Sequence, residues 1–501
     1  MNTAARMESN GERGRIHLSQ DTADLLVKAG KQKWVTPRED IIEAKGKGQM
    51  QTFWLATTAG GSDRHTASMH SSESGGTDED EQDLGEEPEI VKKALKSSLD
   101  FMPTDAKTER LIQWNTECLL RHLKQIVGRR KYRVEKGLET EERTADESVF
   151  MDEGLMAVDE IQPVINLPQY DYSGVIDDFD KTEIDPIVAE QLKHYVSSIA
   201  AMYKNNPFHN FEHASHVAMS VTKLLSRINA PVENEFCKEE NMTLHDHTYG
   251  VTSDPLTFFC CILCALIHDV DHQGVPNAQL VKENTACAQH YKGRSVAEQN
   301  SLDIAWNLLM DDTYTDLRKC LYSKHESLVR FRELLVNTVM ATDIVDKDLK
   351  TLRNEKWALA FSESAGEANT KLDINRKATI VIEHIIQASD VSHMMQHWHI
   401  YRKWNERFFL ECYKAYKEGR AEKNPADGWY EGEKGFYDFY IIPLAKKLKD
   451  CGVFGVSGDE YLNYALTNRK EWEVKGQEVV ESMVNSAEQM SFESKTSVAT
   501  D

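Results

Sequence analysis

Between Leu256 and Ile267 the chain carries its longest apolar stretch, and this runs directly into His268-Asp269. A helix that is apolar on every side has no face to give to water, so it must lie centrally in a core. Asp254-Pro255 marks its start, a capping side chain followed by proline in the first turn. The stretch is too short to span a bilayer. His268 and Asp269 therefore close one of the most buried helices of the chain. A carboxylate there is costly unless it meets a cation or a full set of hydrogen bonds. A divalent metal satisfies both residues, since neutral imidazole suits zinc and carboxylate suits zinc or magnesium.

The remainder separates by composition. Residues 1–57 mix strand and helix signals. Arg15-Ile16-His17-Leu18 reads as a short strand; Ser19 caps a helix with Leu25, Leu26 and Ala29 on its apolar face, and Gly30 stops it. Met50 to Leu55 reads as a closing strand. Residues 58–104 form an acidic linker. Its core, Ser71 to Glu81, lacks apolar content and carries like charges, so it is expected to be a disordered tether or a partner-binding acidic segment. Residues 105–159 read as a helical lead-in and 160–483 as the main domain. Leu111–Leu123 and Val217–Ile228 carry apolar residues at three-to-four spacing, with no strand pairs, so the fold class is all-α beside a small, incomplete α/β piece. Residues 484–501 form a polar tail, expected to be disordered.

A net charge of −23 over 501 residues argues against nucleic acid or an anionic membrane as partner, because phosphate backbones would be repelled. It does not exclude a small phosphate ester, since one local metal site outweighs a distant negative field. Nine cysteines show no disulfide-like spacing. Cys260, Cys261 and Cys264 read as buried free thiols of a reducing compartment; the alternative, a metal site at Cys261 and Cys264, lacks a second Cys-x-x-Cys pair. The N-terminus has no signal-peptide pattern, and no membrane segment is visible, so a cytoplasmic location is expected.

Four short segments concentrate histidine and carboxylate: His209-Asn210-Phe211-Glu212-His213, His268-Asp269-Val270-Asp271-His272, Ala297-Glu298-Gln299-Asn300 and Ala388-Ser389-Asp390. On a helix, His209 and His213 share one face, as do His268 and His272. Such a face can offer one metal ligand and one histidine that orients bound water. The first segment also fits H-x-x-E-H, a zinc peptidase pattern in which Glu212 is the base. That reading leaves His268, Asp269, Glu298 and Asp390 without a role.

The segment Asn206 to Val217, with its His-Asn-x-x-His-Ala core, resembles the signature of class I cyclic nucleotide phosphodiesterases. So do Ile267 to Gly274 and Gly435-Phe436-Tyr437-Asp438-Phe439-Tyr440-Ile441-Ile442-Pro443-Leu444. The resemblance implies a compact multi-helix domain of the HD type with two divalent ions, zinc at the tighter site and magnesium or manganese at the second. It assigns His213, His268, Asp269 and Asp390 to the tighter ion, with Asp269 bridging. His272, Asn277 and Glu298 would bind the waters around the ions. The implied reaction is hydrolysis of a 3′,5′-cyclic nucleotide, cGMP or cAMP, to the 5′-monophosphate, ending a cyclic nucleotide signal. A metal-activated hydroxide attacks in line, and His209 protonates the leaving 3′-oxygen as general acid. A binding module that senses the nucleotide without cleaving it would need neither the ligand set nor the acid.

By the same resemblance Phe436 and Phe408 clamp the purine. The family's base-reading glutamine aligns with Glu433, and no glutamine occurs between Gln396 and Gln477. An amide donates and accepts, whereas an ionised carboxylate only accepts. Ionised Glu433 can pair with the N1 and N2 hydrogens of guanine but faces the N1 lone pair of adenine, a lean towards cGMP that protonation would reverse. Phe208 replaces a tyrosine common in the family, with little consequence expected.

Asn2 to Ser9, Gly14 to Ser19 and Glu43 to Leu55 resemble the end of a class III nucleotidyl cyclase domain, with Asn2 and Arg6 matching its transition-state pair. The family's metal-binding aspartates are absent, so this piece is expected neither to cyclise a nucleotide nor to fold alone. The chain then reads as part of a longer cyclase–phosphodiesterase fusion, whose parent could be membrane-attached, or as a short product with a vestigial arm.

Overall fold

The computed structural model describes residues 16–28, 32, 35–38, 42–44, 48–55, 105–150, 156–168, 181–228, 248–361 and 370–498. The chain divides into two units, Met1–Glu87 and Pro88–Asp501. In the first, β1 (Ile16–Ser19) leads into α1 (Gln20–Lys28), followed by β2 (Val35–Pro37), β3 (Ile42–Ala44), β4 (Gly48–Met50) and β5 (Thr52–Leu55). Ser19 Oγ accepts from the Thr22 amide at 3.3 Å, the expected cap of α1. Strand β5 is central in an antiparallel sheet of order β1-β5-β2, and β3 pairs with β4. The expected strand Met50–Leu55 is interrupted at Gln51, whose side-chain amide donates to the Arg38 carbonyl at 2.8 Å. Leu18, Ala23 and Trp54 are buried. Asn2, Arg6, Gly30 and the acidic linker up to residue 104 lie outside the described residues.

The second unit is helical, and no strand occurs among its described residues. Helix α2 (Ala106–Glu135) outruns the expected Leu111–Leu123 because Asp105 caps it, accepting from the Lys107 and Thr108 amides. Among the described residues only short 3₁₀ turns follow up to residue 159, so the described part of the lead-in is less helical than expected. Then come α3 (Pro186–Met202) and α4 (Phe211–Ser226). The latter starts ahead of Val217 because Asn210 Oδ1 accepts from the His213 amide at 3.1 Å.

Helix α5 (Pro255–Ile267) is the apolar stretch, and nearly all of its side chains are buried. It is surrounded by α2, α4, α7 (His325–Met340) and α8 (Lys371–Asp390), with α6 (Val296–Met310) also against it. Central burial follows from its lack of a polar face. Asp254 does not cap it. Its carboxylate instead accepts from Thr257 Oγ1 at 2.9 Å and lies 3.3 Å from Arg330 Nε. Cys260, Cys261 and Cys264 are buried free thiols, and burial pushes Cys261 up to about 12.

Beyond α9 (Trp398–Lys417) and α10 (Trp429–Phe436), α11 runs from Val456 to Val498. Up to Val498 the expectation of disorder after residue 484 is thus corrected: Met483 and Ala487 are buried against the core and hold the helix there. Among the described residues no helix is long and apolar enough to cross a membrane.

Candidate metal and catalytic site

The core geometry delivers four side chains to one point. Helix α4 presents His213, the C-terminal end of α5 presents His268 and Asp269, and Asp390 is the last residue of α8. One ligand atom from each lies within 4.8 Å of all the others. His213 Nε2 is 3.0 Å from Asp390 Oδ1 and 3.7 Å from Asp269 Oδ2. His268 Nε2 is 3.1 Å from Asp269 Oδ2 and 3.4 Å from Asp390 Oδ1.

These atoms fit a divalent cation. His268 Nδ1 lies 3.0 Å from the Ala265 carbonyl and, as its donor, leaves the Nε2 lone pair aimed into the cluster. His268 Nε2 and Asp269 Oδ2, although 3.1 Å apart, are misaligned, and both are buried without a hydrogen-bond partner. Two imidazoles and two carboxylates suit zinc and tolerate harder ions.

Beside this cluster, His209 sits in the loop before α4. Its Nδ1 lies 2.5 Å from Glu411 Oε1, and Glu411 Oε2 accepts from the Phe208 and His209 amides at 2.9 and 3.0 Å. Burial opposes a charged imidazole, but Glu411 and then Asp269 outweigh it and raise His209 to about 9. His272 lies with its ring centroid 3.8 Å from that of His209, and burial followed by the His209 charge lowers it to about 4. The loop carrying His272 turns through Asp271 and Gly274, both at positive φ. A Cβ on Gly274 would stand 3.2 Å from Asn206 Oδ1, whose own amide donates to the His209 and His272 carbonyls.

Asn277 Nδ2 donates to Glu298 Oε2 at 2.8 Å. Glu298, in the first turn of α6, is raised to about 8 by burial and by the nearby Asp343, and it also feels Asp269. Glu411 and Asp343 escaped the sequence reading. Glu411 lies within the aromatic face of α9, and Asp343 just past the end of α7, with no histidine motif near either.

Glu212, the base of the peptidase pattern, is held by Lys107 Nζ at 2.6 Å and Arg407 Nη1 at 2.9 Å. Against partial burial these cations keep its carboxyl below the usual range. It is committed to ion pairs, and the cluster gathers three residues, His268, Asp269 and Asp390, that the peptidase reading leaves idle.

A cavity of about 320 Å³ reaches His213 and Asp390 and is lined further by His393, Gln396 and Trp404. Phe208 packs against His213 and Trp404 with ring centroids 4.5 and 5.8 Å apart. Phe408 adjoins the cluster, 6.0 Å from the His209 ring and 5.1 Å from Phe208. Phe436 stacks on Tyr440 at 5.2 Å. Phe408, Phe436 and Glu433 are not among the residues lining that cavity.

Glu433 is buried, and its Oε2 accepts from the Tyr401 hydroxyl at 2.7 Å. Burial raises it to about 7 against the pull of Tyr401 and Asn405. The folded state therefore holds a proton that the unfolded chain releases near its ordinary value, and stability falls as pH rises from there through 7. Glu433→Gln should stabilise the protein at pH 8 by up to about 3 kcal/mol and change little at pH 4. Thermal melts at both pH values check this; an equal gain at each would assign the effect to packing.

Residues 208–452 match the family model described as 3′5′-cyclic nucleotide phosphodiesterase, and residues 1–57 match the adenylate and guanylate cyclase catalytic domain. A Caenorhabditis elegans protein named "Probable 3′,5′-cyclic-AMP phosphodiesterase pde-4" is 29% identical over 264 residues, covering 51% of this chain and 36% of that protein. A Drosophila melanogaster 3′,5′-cyclic-AMP phosphodiesterase, isoform F, is 27% identical over 263 residues, covering 50% and 36%. The chain thus spans little more than a third of the length of these curated relatives. The crystal structure of the phosphodiesterase domain of a RhoPDE fusion protein from the choanoflagellate Salpingoeca rosetta aligns with a TM-score of 0.45 at 20% identity, over 60% of this chain and 86% of that one. The chain thus carries a segment at residues 208–452 that matches the 3′5′-cyclic nucleotide phosphodiesterase family and a segment at residues 1–57 that matches the adenylate and guanylate cyclase catalytic domain.

Proposed function

We propose that this chain hydrolyses a 3′,5′-cyclic nucleotide to its 5′-monophosphate. The observation that carries the reading is a buried two-histidine, two-carboxylate cluster beside a histidine, His209, whose Nδ1 is held by Glu411. His213, His268, Asp269 and Asp390 would hold the tighter ion, zinc by its donor set, and Asp269 would share a second, magnesium or manganese. When bound, such ions supply water activation at neutral pH and neutralise phosphate charge.

The chain's own residues do the rest. Glu411 orients His209 through Nδ1, leaving the Nε2 proton for the departing 3′-oxygen as the bond from phosphorus to that oxygen breaks. A new bond to the water oxygen forms on the opposite face, and solvent returns the proton to His209. Asn277 fixes Glu298, and His272 stays neutral against His209, so both can accept or orient water. The cavity beside Trp404 is within the size range of small-ligand pockets.

Phe408 and Phe436 would hold the purine and Glu433 would read its edge. Above pH 7 an ionised Glu433 accepts from guanine; below it, the protonated acid also donates and serves adenine. The test is hydrolysis of cAMP and cGMP side by side, with and without chelator. Expected are 5′-monophosphate products that chelator abolishes and zinc with magnesium restores. The cGMP-to-cAMP rate ratio should rise from pH 6 to pH 8, and Glu433→Gln should flatten that rise. No 5′-product under any metal condition sinks the assignment, while a flat ratio sinks only the role of Glu433.

A further inference from the structure

The cavity of about 320 Å³ that reaches His213 and Asp390 is bounded by α4, α9 and α11, which bring Lys223, Lys403 and Tyr461 to its wall. Its charge runs against that of the chain. The whole protein carries −23, a field that repels an anion on approach. At this wall the balance reverses. Glu212 is shared between Lys107 Nζ at 2.6 Å and Arg407 Nη1 at 2.9 Å. Glu460, on α11, is shared between Lys223 Nζ at 3.5 Å and Arg227 Nη1 at 2.6 Å. Each of these carboxylates meets two cations and can cancel the charge of one. Asp390, the other carboxylate of the wall, belongs to the cluster proposed to hold the ions.

Lys403 adds a charge that nothing offsets. It is exposed, and it makes no hydrogen bond, ion pair or ring contact with any described residue. Its neighbour on α9, Trp404, packs with its ring centroid 5.7 Å from that of His213, so Lys403 stands one residue from the packing of the cluster. An ammonium held by neither a carboxylate nor a ring keeps its full charge and its rotamer freedom for whatever enters. Phe408, Phe436 and Glu433 do not line this cavity. What the wall offers an incoming nucleotide is therefore charge, and the nucleotide carries its charge on phosphorus.

We propose that Lys403 is the entry cation for the nucleotide, drawing its phosphate into the cavity towards His213 and Asp390. The choice of ligand rests on the hydrolysis proposed above; binding is measured separately, so the two can fail independently. Turnover of cAMP and cGMP by the full, metal-loaded chain is followed at ionic strengths of about 0.01 M and about 1 M, where charges are felt over about 30 Å and about 3 Å. At the lower value Lys403→Gln should reduce kcat/KM about threefold and Lys403→Glu about tenfold, through KM rather than kcat. Lys403→Arg should restore wild-type kcat/KM, and at the higher value all the variants should converge on it. Lys131→Gln removes the same charge from an exposed position on α2, roughly 36 Å along the helix from Lys107, and should change nothing. Calorimetry with a nucleoside 5′-monophosphate reads the same dependence without turnover. Binding that follows Lys403 and salt in a chain forming no 5′-product upholds the entry role while hydrolysis falls. Wild-type kcat/KM and binding in Lys403→Gln at low ionic strength, a loss that persists at about 1 M, or an equal loss in Lys131→Gln overturns the proposal.

Discussion

Asp390→Ala should lower cyclic nucleotide turnover by at least about 10³-fold, the loss of roughly 4 kcal/mol of transition-state stabilisation expected when the proposed metal site is broken. Asp390 Oδ1 is the atom that faces both imidazoles, 3.0 Å from His213 Nε2 and 3.4 Å from His268 Nε2. Without it the cluster keeps one carboxylate, and half of its negative charge is gone. Asp390 closes α8 and is followed by a short turn, so its truncation spares the helix that carries it. Metal content should fall while the helical circular dichroism of the folded protein persists. Retained turnover with retained metal would show that the cation is held elsewhere and would remove the hydrolase reading.

His209→Asn should cost between about 10² and 10⁴ in turnover, with metal content unchanged. The pH profile identifies the role. His209 is raised to about 9, so the protonated donor is present at neutral pH and is lost as pH climbs through that value. Wild-type turnover should therefore decline on the alkaline side. Glu411 is the largest influence raising His209, so Glu411→Gln should move the decline to lower pH, and His209→Asn should erase it. An alkaline limb that stays fixed in both variants would make His209 a structural residue.

The histidine–carboxylate cluster was legible because its cost is local. Asp269 follows an apolar helix, and a buried carboxylate there demands a partner whatever surrounds it. The four side chains proposed as ligands, His213, His268, Asp269 and Asp390, do lie together, and the helix of Leu256 to Ile267 is central, as its composition requires. Glu411 was not legible, because its meaning comes from His209, 202 residues away, and nothing in its own neighbourhood marks it as more than one carboxylate on an amphipathic helix. The ion pairs of Glu212 with Lys107 and Arg407 have the same character. Asp254 misled for a related reason: cap residues are read from local order, but Arg330 and Thr257 compete for its carboxylate. The final helix was missed because its polar composition hides the few buried positions, Met483 and Ala487, that tie it down.

Helix α5 ends where the cluster begins, and its direction matters. Every peptide dipole along that dry rod points its carbonyl toward His268 and Asp269, giving the ligand end a fractional negative potential that owes nothing to any side chain. In so poorly polarisable an interior, that potential is felt more strongly than in water. Affinity for cations is thus written partly into the backbone, where point substitution cannot reach it, and weak residual occupancy should outlast the loss of any one ligand.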